Sequence, residues 1–203
     1  MDDHPPTAHP PAATQRLFIA LAPPDDAKGE LDHALRHARA DHPRLRWNRI
    51  EDWHITLAFL GEQPRAAATA LRAALAAPAA AHPAPRLNLY GGGHFDDRLL
   101  YARVGGDLQA LHRLAEEVRA LARACGADYR PRPFNPHLTL ARARRDDPAA
   151  VPRAAATLAA FTGRPWPAER LHLVGGEPGP GPEPGPVRYR DIQAWPLTPA
   201  ARA

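Results

Sequence analysis

Two short stretches hold the residues best suited to chemistry. His54-Ile55-Thr56-Leu57-Ala58 recurs as His137-Leu138-Thr139-Leu140-Ala141. Both read as β-strands, and in a strand residues i and i+2 share a face. His54 and Thr56 then project together, as do His137 and Thr139. Ile55 and Leu57, or Leu138 and Leu140, project to the opposite side, with Phe59 continuing the first apolar series. Two such strands around one cleft offer two imidazoles and two hydroxyls to a single small ligand. Imidazole titrates near neutrality, so one ring can accept a proton while the other donates one. That equipment suits acid–base chemistry at a phosphodiester. A single His-x-Thr means little, but two copies with apolar neighbours and a following Leu-Ala are expected by chance about once in 100,000 such chains.

The motif strands need elements to hold them. Arg16 to Ala22 reads as a first, mostly buried strand. Pro23-Pro24 ends it, and Asp25 or Asp26 can cap a helix running to about Ala40. Leu45 to Asn48 is a short strand, Trp53 to Leu60 carries the first motif, and Arg65 to Ala77 is an Ala/Leu-rich helix. Pro85 to Tyr90 alternates as a strand. Gly91-Gly92-Gly93 marks a turn or a place of close backbone approach. Leu99 to Val104 is a strand, and Asp107 to Ala124 is the clearest helix, with Leu108, Leu111, Leu114, Val118 and Leu121 at helical spacing. Pro136 to Arg142 carries the second motif. Ala149 to Phe161 follows as a helix, then strands at Leu171–Val174 and Tyr189–Trp195.

The two halves resemble one another. The expected fold is therefore α+β and bilobal: two similar lobes related by an approximate two-fold, each a mainly antiparallel sheet flanked by helices, with the active-site cleft between the sheets. Residues 1–15 are Pro-rich and polar and read as a disordered tail. Residues 16–197 read as one bilobal domain, and 175–187 as a Pro/Gly-rich loop within it that forms no regular structure.

The 203 residues include 44% hydrophobic ones, enough for a core, and 26 basic against 22 acidic residues. A net charge of +4 permits an anionic partner without demanding one. The single cysteine, Cys125, excludes an internal disulfide and any Cys-based metal or redox pair. No signal peptide or membrane-length apolar run is present, so the expectation is a cytoplasmic monomer that does not engage membranes. His33 and His37 stand four apart, but Ala34 occupies the place where a zinc-protease motif needs Glu. There is neither a Walker-type loop nor a G-x-S-x-G elbow.

The two His-x-Thr motifs, the opening Arg16-Leu17-Phe18-Ile19-Ala20-Leu21, and the segments Trp53–Gly61 and Phe134–Arg142 together resemble the 2H phosphoesterase superfamily. Within it they are most similar to the RNA 2′,3′-cyclic phosphodiesterase (2′-5′ RNA ligase-like) family. The likeness covers about residues 16–197 and departs after Val174, where Gly175-Gly176 stand. It implies metal-independent, cofactor-free hydrolysis of RNA 2′,3′-cyclic phosphate ends, or of small cyclic-phosphate nucleotides, to 2′-phosphomonoesters. His54 is then the proton donor, His137 the acceptor, and Arg142 a phosphate ligand. Spacing alone does not say which histidine does which. Thr56 and Thr139 can donate hydroxyl hydrogen bonds to phosphate oxygens. Arg142 lies five residues beyond His137, so a straight strand turns it away from the cleft; a bend or bulge must bring it back. Phe134 and Trp47 are candidate base-stacking residues. The alternatives are a ligase joining RNA halves through a 2′–5′ linkage and a binding module that grips RNA ends without cleaving them.

Overall fold

A computed structural model describes residues 14–130, 132–144, 147, 149–179 and 185–199. The strands are β1 (Thr14–Leu21), β2 (Arg46–Trp47), β3 (Ile55–Pro64), β4 (Arg86–Phe95), β5 (Leu99–Gly106), β6 (His137–Arg142), β7 (Trp166–Pro167), β8 (Arg170–Gly179) and β9 (Gly185–Pro196). The helices are α1 (Asp25–Ala34), α2 (Arg36–Asp41), α3 (Arg65–Ala74), α4 (Ala76–Ala81), α5 (Leu108–Ala124) and α6 (Ala150–Thr157). A single 3-10 turn, Ile50–Asp52, precedes the first motif.

The strands run β7-β4-β5-β6-β3-β1-β8-β9, with β2 beside β6, and neighbours pair antiparallel. The order is palindromic about its middle: β6 answers β3, β5 answers β1, and β4 answers β8. Each side of the seam is one lobe of the α+β fold. Between β3 and β6 only Ile55 and Leu138 are in register, so the lobes splay apart on either side of that pair.

Ile55 and Leu138 are both fully buried. They belong to one apolar core that also takes Leu17, Ile19 and Leu21 from β1 and Leu31, Leu71, Leu111 and Val151 from the helices. Each such side chain contributes about 1.5–3 kcal/mol by leaving water. Helices therefore cover one face of the sheet, and the motif side chains emerge on the other.

The helices do not stay with their own lobes. α1 follows β1 of the first lobe yet packs against β4 of the second, while α5 follows β5 of the second and packs against β3 of the first.

Several elements differ from the expectations. The helix expected from Asp25 to Ala40 breaks at Leu35, and the one from Arg65 breaks at Leu75, each with a short second helix continuing. The Gly91–Gly93 stretch lies inside β4 as a site of close approach. A Cβ on Gly92 would stand 2.3 Å from the Ala155 carbonyl oxygen, and one on Gly93 would stand 2.4 Å from the Tyr101 ring. The Pro/Gly loop is shorter than 175–187: Gly175 to Gly179 continue β8 and Gly185 onward belongs to β9, with Glu177 opposite Arg188. β1 pairs with β8 only as far as Gly176, so this extension is a two-stranded ribbon in which proline forfeits few ladder bonds. Residues 180–184 lie outside the described residues. So do residues 1–13 of the expected tail, while Thr14 and Gln15 already belong to β1.

Candidate active site

The Ile55–Leu138 pair places the four motif side chains. Carrying its register one residue either way sets His54 opposite Thr139 and Thr56 opposite His137, all on the face away from the core. All four are half-buried. Each lobe contributes one imidazole and one hydroxyl, related by the two-fold through the seam.

Both rings are oriented in the same way. His54 Nδ1 donates to the Asp52 carbonyl at 2.6 Å, and His137 Nδ1 donates to the Asn135 carbonyl at 2.7 Å. A carbonyl can only accept, so Nδ1 carries the proton and Nε2 is left for chemistry in each ring. Rings also wedge them in place. Phe18 stacks on His54 with centroids 4.5 Å apart, and Tyr189 meets Phe18 edge-on. Phe95 and Tyr101 approach His137 edge-on at 5.0 and 5.4 Å.

This environment depresses both imidazoles. Burial pushes the His54 pKa below its ordinary value, with His137 and Lys28 adding repulsion against the partial relief from Asp52. Burial does the same to His137; the Asn135 carbonyl opposes it and the Arg142 charge adds to it. Two rings that feel each other hold a shared proton more readily than two.

Arg142 reaches the site because β6 is bulged. Ala141 pairs with Leu100 and Thr139 with Tyr101, which leaves Leu140 as an extra residue. Leu140 and Ala141 are both fully buried, and Arg142 is exposed on the same side as His137 and Thr139. β3 repeats the device. Ala58 pairs with Ile19 and Thr56 with Ala20, so Leu57 is the extra residue. Phe59, expected to continue the buried series, is instead 55% exposed.

Specific bonds hold each bulge. Arg119 Nε on α5 donates to the Leu57 carbonyl at 2.7 Å. The Asn48 backbone N–H donates to the Leu140 carbonyl at 2.8 Å, and its side-chain amide donates to the Thr139 carbonyl at 3.1 Å.

The two expected base-stacking residues, Trp47 and Phe134, are half-buried and pack on the core. Trp47 pairs with the buried Ala141, packs on the core and donates its indole N–H to the His42 carbonyl. Phe134 packs on the core beside α5, with His112 at its edge and the Arg119 guanidinium 5.0 Å from its centroid. Phe18, Phe59, Phe95 and Tyr101 were not singled out from sequence. Their places depend on cross-strand register and on bulges, which a local apolar pattern does not encode.

Comparisons with known proteins point one way. A family model described as the 2′-5′ RNA ligase superfamily matches residues 22–179. The chain is 32% identical over 184 residues to a Geobacillus stearothermophilus protein named RNA 2′,3′-cyclic phosphodiesterase, a match covering 89% of this chain and 56% of that one. The chain thus spans little more than half the length of that relative. A Thermus thermophilus protein of the same name is 32% identical over 188 residues, covering 85% of both. Among solved structures, Escherichia coli LigT complexed with 3′-AMP superposes with a TM-score of 0.70 at 25% identity, covering 92% of this chain and 99% of that one. A Thermus thermophilus structure does so with a TM-score of 0.69 at 27% identity, covering 92% and 100%.

Proposed function

The chain belongs to the 2′-5′ RNA ligase superfamily, and from that premise we propose that it hydrolyses RNA 2′,3′-cyclic phosphate ends to 2′-phosphomonoesters by two-histidine acid–base catalysis, with no metal ion. The observation that carries the reading is the matched pair of Nδ1–carbonyl bonds. They leave Nε2 of each ring out of that bond and available for proton transfer, on two strands from opposite lobes that pair at Ile55–Leu138.

In this mechanism His137 Nε2 takes a proton from water as the water oxygen attacks phosphorus. The bond from phosphorus to the ribose 3′ oxygen breaks, and His54 Nε2 gives that oxygen its proton. In-line displacement needs acid and base on opposite sides of phosphorus, which two lobes supply and one helix cannot. Thr56 and Thr139 donate hydroxyl hydrogen bonds to the non-bridging oxygens, and Arg142 offsets the charge that builds on them. The product leaves His54 neutral and His137 charged, and exchange with solvent resets the pair. With an RNA 5′-hydroxyl in place of water, the same steps form a 2′–5′ linkage, the direction that gives the matched family its description.

The test is incubation with an oligonucleotide ending in a 2′,3′-cyclic phosphate, in chelator, followed by end-group analysis. The expected product carries a 2′-phosphate. His54→Ala and His137→Ala should each slow turnover by about 100-fold or more, the usual weight of one acid–base group. A wild-type protein inactive in chelator, or a variant of either histidine turning over normally, overturns the mechanism. Added 5′-hydroxyl RNA reads the joining direction in the same tube.

A further inference from the structure

On the outer side of His137 the second lobe carries an exposed cation and an exposed aromatic ring in one row. His137 of β6 lies opposite Arg103 of β5, and Arg103 lies opposite Tyr90 of β4. Directly opposite residues share a face, so all three stand on the face that bears the motif side chains. At the usual strand spacing the Arg103 backbone is about 5 Å from that of His137, and the Tyr90 backbone about 10 Å. Ala102 and Leu89, one step along from Arg103 and Tyr90, are buried on the other face. The matching place in the first lobe differs: carrying the Leu21–Ile55 register one residue on sets Ala22 opposite His54.

Neither side chain is consumed by the fold. Tyr90 is 38% exposed, one of two large apolar rings so exposed among the described residues. Its ring lies along the sheet beside Gly105, where a Cβ would stand 3.1 Å from Tyr90 Cε1 and 2.7 Å from Asn88 Oδ1. Arg103 is exposed and leans away from His137 toward β4, where its Nε donates to the Gly92 carbonyl at 3.1 Å. Its stem crosses Gly91, whose Cβ, were one present, would touch Arg103 Cδ at 3.7 Å. That bond fixes the guanidinium through Nε and leaves its two Nη groups for an anion.

The row begins at the ring that, in the mechanism above, takes the proton of the nucleophile. When the nucleophile is the 5′-hydroxyl of an RNA strand, His137 Nε2 takes its proton and the 5′ oxygen bonds to phosphorus. The bond to the ribose 3′ oxygen breaks, and that oxygen takes its proton from His54. The incoming nucleotide must then extend outward from His137, bringing one phosphate and one flat base. We propose that Arg103 and Tyr90 form the subsite for this nucleotide: Arg103 binds the first phosphate of a 5′-hydroxyl RNA strand, and Tyr90 stacks its first base. Occupied, the subsite puts RNA where water would otherwise attack. This rests on the cyclic-phosphate reading and its acid–base assignment, and adds to them the residues that choose between the two nucleophiles.

The experiment incubates a labelled oligonucleotide ending in a 2′,3′-cyclic phosphate with increasing amounts of a 5′-hydroxyl oligonucleotide and reads the ratio of joined to hydrolysed ends. In wild type the ratio should rise with the acceptor strand. At one acceptor concentration below saturation, Tyr90→Ala and Arg103→Gln should each lower it about ten-fold, the weight of one base–aromatic stack or one charged hydrogen bond. Tyr90→Phe should keep it. An acceptor whose first residue is abasic should lower the ratio in wild type and lose nothing more in Tyr90→Ala, which a merely structural role for Tyr90 would not produce. Thermal midpoints, measured alongside, should stay near wild type because both side chains are exposed. A wild type that yields no joined product overturns the proposal. So does an unchanged ratio in Tyr90→Ala or Arg103→Gln, including one in which joining and hydrolysis fall together. Tubes without acceptor test the hydrolytic reading by itself: hydrolysis there without joining elsewhere removes only the subsite, and joining that depends on Tyr90 without any hydrolysis removes only the hydrolytic reading.

Discussion

At the scale of single residues, burial favours the neutral form of both histidines, while the proposed mechanism needs one of them protonated. Burial lowers both pKa values below the ordinary 6.5, and each ring has an added cation nearby. The acid must be protonated and the base must not, so kcat/KM rises as the base loses its proton and falls as the acid loses its own. Both limbs are read on the free enzyme and both are displaced downward, so the maximum of kcat/KM should lie on the acid side of 6.5. Bound phosphate brings negative charge between the rings and favours the protonated form. The kcat profile, which reports the complex, should therefore sit at higher pH than the kcat/KM profile. Steady-state kinetics from pH 5 to 9 on a 2′,3′-cyclic nucleotide measure both; coincident profiles centred above neutrality would contradict the burial argument. The four motif residues were legible in sequence because repetition marks them and strand parity groups them on one face. Their tautomer was not, because it depends on where the Asp52 and Asn135 carbonyls point.

At the scale of elements, what aims the site is a pair of bulged strands. Strict alternation puts Phe59 in the core and Arg142 outside the cleft, and parity alone could say only that Arg142 needed a bend. The bulges were not legible because they arise where two consecutive apolar residues, Leu57-Ala58 and Leu140-Ala141, both find room in the core. That room is made by helices distant in sequence. α5 also supplies a clamp. Arg119 donates to the Leu57 carbonyl in β3 and, through Nη1, to the Arg132 carbonyl at 3.0 Å on the approach to β6, with its guanidinium over Phe134. One side chain thus fixes both motif strands. Arg119→Met keeps the aliphatic bulk but leaves two carbonyls without donors, a loss of about 1–3 kcal/mol in stability. As a positioning residue Arg119 should affect kcat more than nucleotide affinity. We expect kcat on the cyclic phosphate to fall about ten-fold well below the unfolding temperature, since small displacements of acid and base are costly. Arg119→Lys, which has the charge but not the planar fork, should recover only part of it. A normal kcat in Arg119→Met would reduce Arg119 to a structural role.

At the scale of the whole molecule, the lobes are separable in outline and bound together in fact. The likeness of the two halves was legible in the doubled strand–helix pattern. The exchange of helices was not, because nothing in the amphipathic face of α5 names which sheet it will cover. That exchange has a consequence for unfolding. The two halves of the sheet meet at one register pair, but α1 and α5 each lie on the opposite lobe, and the core runs through both without a break. Opening one lobe strips the helices that cover the other, so the chain should unfold in one step. Gly92→Ala tests this from within the second lobe. A Cβ there would stand 2.3 Å from the Ala155 carbonyl oxygen and 2.8 Å from its Cα, backbone atoms of α6 that cannot swing aside. The overpacking should cost about 1–3 kcal/mol, which for a chain of this size lowers the midpoint by roughly 3–10 °C. Fluorine NMR on fluorotryptophan-labelled protein can follow Trp166 on β7 in the altered lobe and Trp195 on β9 in the other. The two signals should lose their native shifts together in wild type and move down in temperature by the same amount in Gly92→Ala. Were Trp195 to keep its wild-type midpoint while Trp166 melted early, the lobes would be independent units, and the catalytic pair would depend on a seam of one residue from each strand.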